Sequence, residues 1–261
     1  MAIIPEKLPD SVDKAVENLT DTPTAVLGKG FAAIFSLVFD PIIHLDDKRK
    51  ARYLHNLNIY KQELDNSLAA IPKENLIEEP KLQIAAQALE DSKYCIEEPV
   101  LREMFAKLIA SASDRTKADT VHPSFSTIIK QMSPQDATTL QRIKLCADKY
   151  GPFLPIAKFN FAKSGMEGTV AFTYDIIIPD SSDVSKIISF KSLSTLLALG
   201  LIDIDYSHSL TAKDAYEHFE QYADASGYRA QVKQAGGKLK LKKGICELTP
   251  YGQNFVNACG L

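Results

Sequence analysis

Apolar residues recur at helical spacing through the first half of the chain and give way to short, β-branched runs in the second. Residues 11–19 place Val12, Ala15, Val16 and Leu19 on one helical face, and Pro23 breaks that piece. The dense run Phe31-Ala32-Ala33-Ile34-Phe35-Ser36-Leu37-Val38-Phe39 sits within an apolar segment at 25–43. As a helix it is apolar on all sides, so the pattern predicts burial all round. Asp46 and Asp47 open a long helix over 46–71, where carboxylates suit the positive end of the dipole. Its stripe of Leu54, Leu57, Leu64, Leu68 and Ile71 marks one buried seam, and Pro72 ends it.

Further helices follow over about 81–95 and from Pro99, where Leu101, Met104, Phe105, Leu108 and Ala112 share a face. His122-Pro123 starts a short helix carrying Phe125, Ile128 and Ile129, with proline in its first turn. Ser133-Pro134-Gln135-Asp136 resembles a capping box and opens a helix to about residue 149. From Gly151 the runs 156–161 and 169–178 read as strands punctuated by proline and glycine. A helix over 185–199 and a helical insertion near 211–225 precede an expected hairpin. Its arms are 231–234 and 238–242, joined at Ala235-Gly236-Gly237.

Two late segments give the architecture its expected class. Leu199-Gly200-Leu201-Ile202 reads as a helix that stops at glycine and turns into an apolar strand. Leu248-Thr249-Pro250-Tyr251-Gly252 reads as a strand that stops at a capped helix. Such a pair predicts a winged-helix-like unit. The expected fold is therefore mainly α with a small β component: an N-terminal α-helical bundle over 1–131, then a winged-helix-like α+β domain over 132–261.

Composition narrows the class without naming an activity. A formal charge of −3 argues against a general polyanion binder, while leaving room for a local basic patch. The four cysteines, Cys95, Cys146, Cys246 and Cys259, lack CxxC spacing and fit free thiols in a reducing cytosol. Residues 1–10 lack the order of an export signal, and the apolar run is well short of the roughly 20 residues a spanning helix needs. A cytoplasmic location is the expectation, with membrane contact by residues 31–39 as an alternative.

Several uncommon segments occur together in a telling order: 74–82 (ENLIEEPKL), 98–110 (EPVLREMFAKLIA), His122-Pro123-Ser124-Phe125 and Ser133-Pro134-Gln135-Asp136-Ala137, then the C-terminal pair above. Across about residues 48–259 the chain resembles the abortive-infection alpha family of bacterial phage-defence proteins. The resemblance implies a cytoplasmic bacterial protein that takes part in abortive infection. It brings no catalytic motif with it.

Candidate chemistry is sparse. Lys238, Lys240, Lys242 and Lys243, with Lys233 and Arg229 nearby, concentrate positive charge on one expected hairpin, which suits weak, nonspecific phosphate contacts. The helix over 185–199 has no Arg, Asn or Gln to read purines, so sequence-specific DNA recognition is not expected. Arg115 and His122 have the loose spacing of a ribonuclease pair, in which arginine would stabilise phosphate charge while histidine moves a proton. His208 and His218 lie near Asp203, Asp205 and Asp214 without a metal-site spacing, and Gly28-Lys29-Gly30 lacks the rest of a phosphate loop. No metal or cofactor is expected. The leading expectation is a defence component that acts by binding, to a protein partner or to itself in preference to nucleic acid. An RNase-type effector using Arg115 and His122 is the enzymatic alternative.

Overall fold

In the computed structural model of the protein, the described residues are 34, 35, 37–39, 47–77, 82–163, 169–174, 190–212 and 214–261. The fold is mainly helical with one small sheet, as the sequence pattern predicts. Five helices come first: α1 (Asp47–Ala69), α2 (Leu82–Ser92), α3 (Pro99–Ala112), α4 (Phe125–Gln131) and α5 (Pro134–Tyr150). Strands β1 (Leu154–Lys163) and β2 (Thr169–Tyr174) follow, then α6 (Phe190–Ala198) and β3 (Ile202–Asp205). Helices α7 (Glu217–Ala225) and α8 (Tyr228–Gln234) precede β4 (Gly237–Leu248) and the last helix, α9 (Pro250–Cys259). The described residues divide into two compact units, one up to residue 134 with 257–260, the other 135–256 with 261.

In the first unit the seam of α1 is buried at Leu54, Leu57, Leu64 and Leu68, with Tyr60 filling the gap that the leucine spacing leaves. Helix α3 packs against α1 and is buried on nearly every side, from Leu101 to Ala112. One charge goes in with it. Arg102 forks onto Glu63 of α1, both contacts at 2.9 Å, and its remaining amine reaches the Ile96 carbonyl at 3.1 Å and Asn56 at 3.3 Å. A buried guanidinium is tolerated only when its donors are satisfied in this way. Lys130 of α4 likewise closes on the buried Asp91 of α2 at 2.7 Å.

The apolar segment is described only at residues 34, 35 and 37–39, which are helical. Phe35 and Phe39 are buried and stack on each other at 4.7 Å, and Phe39 meets Tyr60 of α1 edge-on at 6.2 Å. The seam of α1 thus covers this side of the segment. The expectation of burial all round is corrected at Leu37, which is 76% exposed.

The second unit is organised by a sheet in the order β2-β1-β4-β3, antiparallel throughout. The long ladder is β1 against β4, in register from Leu154 opposite Cys246 to Lys163 opposite Gly237. On one face Ala157 and Phe159 of β1 form a core with Tyr216, Phe219 and Ala223, and Leu239 and Leu241 of β4 pack onto it.

The expected hairpin of 231–234 with 238–242 is not formed. Residues 228–234 are the helix α8, and β4 finds its partners in β1 and β3. Four residues of alternation are too few to fix a period of two over one of 3.6. Local geometry decides for helix: Gly227, at φ +74°, turns the chain out of α7, and Arg229 reaches back to Asp224 at 2.6 Å and to Glu220. Gly236, at φ +72°, then closes α8 where a hairpin turn was expected. The helix expected over 185–199 is described from Phe190 onward, and its earlier residues, like 175–178 of the expected strand, lie outside the described residues.

The C-terminal pair of segments meets in this unit. Gly200, at φ +71°, ends α6: its own N–H bonds Leu197 and the N–H of Leu201 bonds Leu196, the two bonds of a Schellman stop. Thr249 then ties that stop to α9. Its N–H donates to the Leu201 carbonyl at 3.1 Å, and its hydroxyl donates to the Gly200 carbonyl at 2.7 Å and accepts from the Gly252 N–H at 2.8 Å. A Cβ on Gly252 would lie 1.9 Å from the Leu201 oxygen, so the helix can cross there only on a glycine. Gly252→Ala is expected to lower stability by about 3 kcal/mol or more, the upper range for forced overpacking. Urea unfolding measures it, and an unchanged midpoint would refute the close crossing.

Candidate functional site

Strand geometry sorts the candidate lysines. Successive side chains of a strand point to opposite faces, so Lys238, Lys240 and Lys242 share one face of β4 while Lys243 belongs to the other. All four are exposed. Lys243 sits 4.9 Å above the ring of Tyr216, whose hydroxyl donates to the Gly244 carbonyl at 2.7 Å. The expected group of four is therefore split into three and one. Arg229 is not part of it, because Glu220 and Asp224 hold its guanidinium.

The three lysines gain a fourth from β1. Lys158 stands directly opposite Lys242 in the ladder, and Asn160 opposite Lys240. Like charges directly across an antiparallel pair repel. The ring of Tyr206, just past β3, takes up part of that cost: the Lys158 ammonium lies 4.1 Å and the Lys242 ammonium 5.7 Å from its centroid. Gly244 makes room for this ring, since a Cβ there would meet Tyr206 at 2.6 Å. Among the described residues no carboxylate forms an ion pair with Lys158, Lys238, Lys240 or Lys242. Lys158, Tyr206 and Gly244 escape sequence reasoning because only the register of β1 on β4 brings them to the lysine row.

The ribonuclease pair is placed differently. The backbone N–H of Arg115 donates to the Asn75 carbonyl at 2.8 Å, next to the bridge between Leu76 and Asp114, while its side chain is exposed. His122 lies in the turn before α4, with Nδ1 2.6 Å from the Ser124 hydroxyl and accepting the Ser124 N–H at 3.2 Å. No described contact joins the two side chains.

Asp205 accepts the N–H of Ser207 at 2.6 Å and its hydroxyl at 2.5 Å, and meets His208. These bonds hold its carboxyl well below the usual range. Among the described residues no group of three or more His, Cys, Asp or Glu could hold a metal. A cleft of about 510 Å³ opens in the first unit between α1, α3 and the C-terminal turn. Its carboxylates are engaged, Glu63 by Arg102, Glu103 by Lys107 and Asp114 by Thr116.

The model of the family described as abortive infection alpha matches residues 52–259. The chain belongs to that family. The match takes in the lysine row, both candidate ribonuclease residues and the crossing of Gly200 with Gly252. Searches of curated proteins and of solved structures find no significant match. Among the described residues of this abortive-infection protein, no helix is long and apolar enough to cross a membrane.

All four cysteines are buried and free. Burial, and next the nearby carboxylates of Asp203 and Glu247, push the Cys246 thiol up to about 12, and burial raises Cys95, Cys146 and Cys259 as well. A raised thiol pKa means less thiolate at any pH below it, and the thiolate is the reactive form. In native protein near pH 8 all four are expected to react with a disulfide reagent far more slowly than after denaturation. Rapid native labelling of Cys246 would contradict this placement.

Proposed function

We propose that this protein works in abortive infection as a binding component, and that its contact surface is the lysine face of the β1–β4 ladder. The observation that carries the reading is the row Lys238, Lys240 and Lys242 with Lys158 beside it, unpaired among the described residues of a chain whose net charge is −3. The partner presents anionic groups. Bond-making chemistry at Arg115 and His122 has weaker support, since the imidazole is engaged by Ser124 at its own helix start. The test is phage protection by cells carrying Lys238→Glu, Lys240→Glu and Lys242→Glu together, with His122→Ala as the comparison. Protection is expected to fall to the level of cells without the gene in the first case and to persist in the second, both proteins being folded by circular dichroism. The reverse pattern would move the function to the histidine.

A protein partner has a separate observation in its favour. Leu145, Tyr150 and Phe153 are exposed at 60%, 42% and 45%, all within residues 145–153 at the end of α5 and the entry to β1. Aromatic side chains are enriched where proteins meet. Under this reading Tyr150→Ser with Phe153→Ser abolishes co-purification of a partner from infected cells or shifts the oligomeric state. A double variant that keeps both would leave the lysine face as the sole contact surface.

A further inference from the structure

We infer that the lysine face seats the sugar-phosphate backbone of duplex DNA, without regard to base sequence. The inference rests on the reading of that face as a binding surface and specifies what is bound there.

Three features of the face select the ligand. The first is spacing. Lys238, Lys240 and Lys242 alternate along one strand, and a rise of roughly 3.3 Å per residue sets them about 6.6 Å apart. A straight row of cations at that interval can follow the phosphates of a stiff duplex. The second is the like-charged pair of Lys158 and Lys242, opposed in register and drawn over one Tyr206 ring. Gly244 leaves the space that puts the ring there. Two ammonium groups held at a fixed place before any ligand arrives form a ready seat for one phosphate, whose two free oxygens remove the repulsion that the fold leaves standing.

The third feature is what the face lacks among its described side chains. It carries lysines and Asn160 but no Arg, no Met and no free aromatic surface, since the described ring, Tyr206, already lies under two ammoniums. Protein interfaces are enriched in Arg, Met and aromatics and depleted in Lys, which disfavours an acidic protein. Single strands are held largely by bases stacked on aromatic platforms, which disfavours single-stranded nucleic acid. Phosphate contacts by lysine alone fit a duplex, with its higher charge density, and bring no base readout.

The experiment is a salt titration of full-length protein with a random-sequence DNA duplex. Nonspecific affinity on the order of 10⁻⁴–10⁻⁶ M is expected, and three phosphates, one seated by Lys158 with Lys242 and one each at Lys238 and Lys240, give a slope of about −2.7 in log K against log salt. Lys158→Gln with Lys242→Gln removes the shared seat, leaves two phosphates and brings the slope to about −1.8. Tyr206→Leu, which keeps every charge but releases the two ammoniums, is expected to weaken duplex binding several-fold with the slope little changed. A slope that stays near that of the unsubstituted protein in the double glutamine variant overturns the assignment, and so does tighter binding to a single strand or to polyglutamate than to duplex. Loss of phage protection in the charge-reversed variant without any duplex binding would also overturn it while leaving the surface assignment standing. Intact protection in that variant would instead remove the surface assignment itself.

Discussion

The second unit depends on one close crossing, where the stop of α6 meets the start of α9. A helix end leaves carbonyls without partners, and a helix start leaves N–H groups without them. Here each end supplies what the other lacks. The carbonyls of Gly200 and Leu201 receive the hydroxyl and N–H of Thr249, and that same hydroxyl caps the Gly252 N–H. Because Gly252 brings the first turn of α9 onto the Leu201 carbonyl, β3 and β4 are anchored at the same place, with Ile202 opposite Leu248. Everything further along β4 inherits its register from that anchor.

That register explains why lysines stand in an open row. The face of the ladder bearing Leu154, Ile156 and Cys246 is buried at its anchored end. The opposite face is buried further along, where Phe159, Leu239 and Leu241 meet α7. The change occurs where Lys158 faces Lys242, and Tyr206 lies over Gly244 at the boundary. Past it, one face has its cover, while on the other Lys238, Lys240 and Lys242 are exposed and Lys158 and Asn160 half-buried. Alternation of apolar and basic residues along β4 is thus a record of which helices reach which end of the sheet.

Local signals in the sequence carried the helices and stopped short of the pairings. The seam of Leu54, Leu57, Leu64 and Leu68 is legible because burial on one helical face repeats every three to four residues. The stop at Gly200 and the start at Thr249 are legible because caps need particular residues. By contrast, the partner of β4 lies some eighty residues upstream in β1, and no short-range pattern encodes it. A nearby hairpin looked sufficient until Arg229 and Gly227 committed residues 228–234 to helix. Arg102 was hidden for a related reason. On the sequence it interrupts an apolar face, and only the carboxylate of Glu63, thirty-nine residues earlier, makes its burial sensible.

The contrast between paired and unpaired cations bears on function more than either does alone. The buried Arg102 has Glu63 as its partner, and the buried Asp91 has Lys130. Even on the surface, Arg229 has two carboxylates and Lys144 has Asp148. With 33 acidic residues against 30 basic ones, carboxylates are in surplus. An open row of lysines with no described counter-charge is therefore not a matter of supply. Asp203, Glu247 and Asp205 sit on the same sheet, but register sends them to the other face. The alternation that sorts apolar from polar residues also separates the unit's own carboxylates from its lysines, so that the row stays available to an external anion.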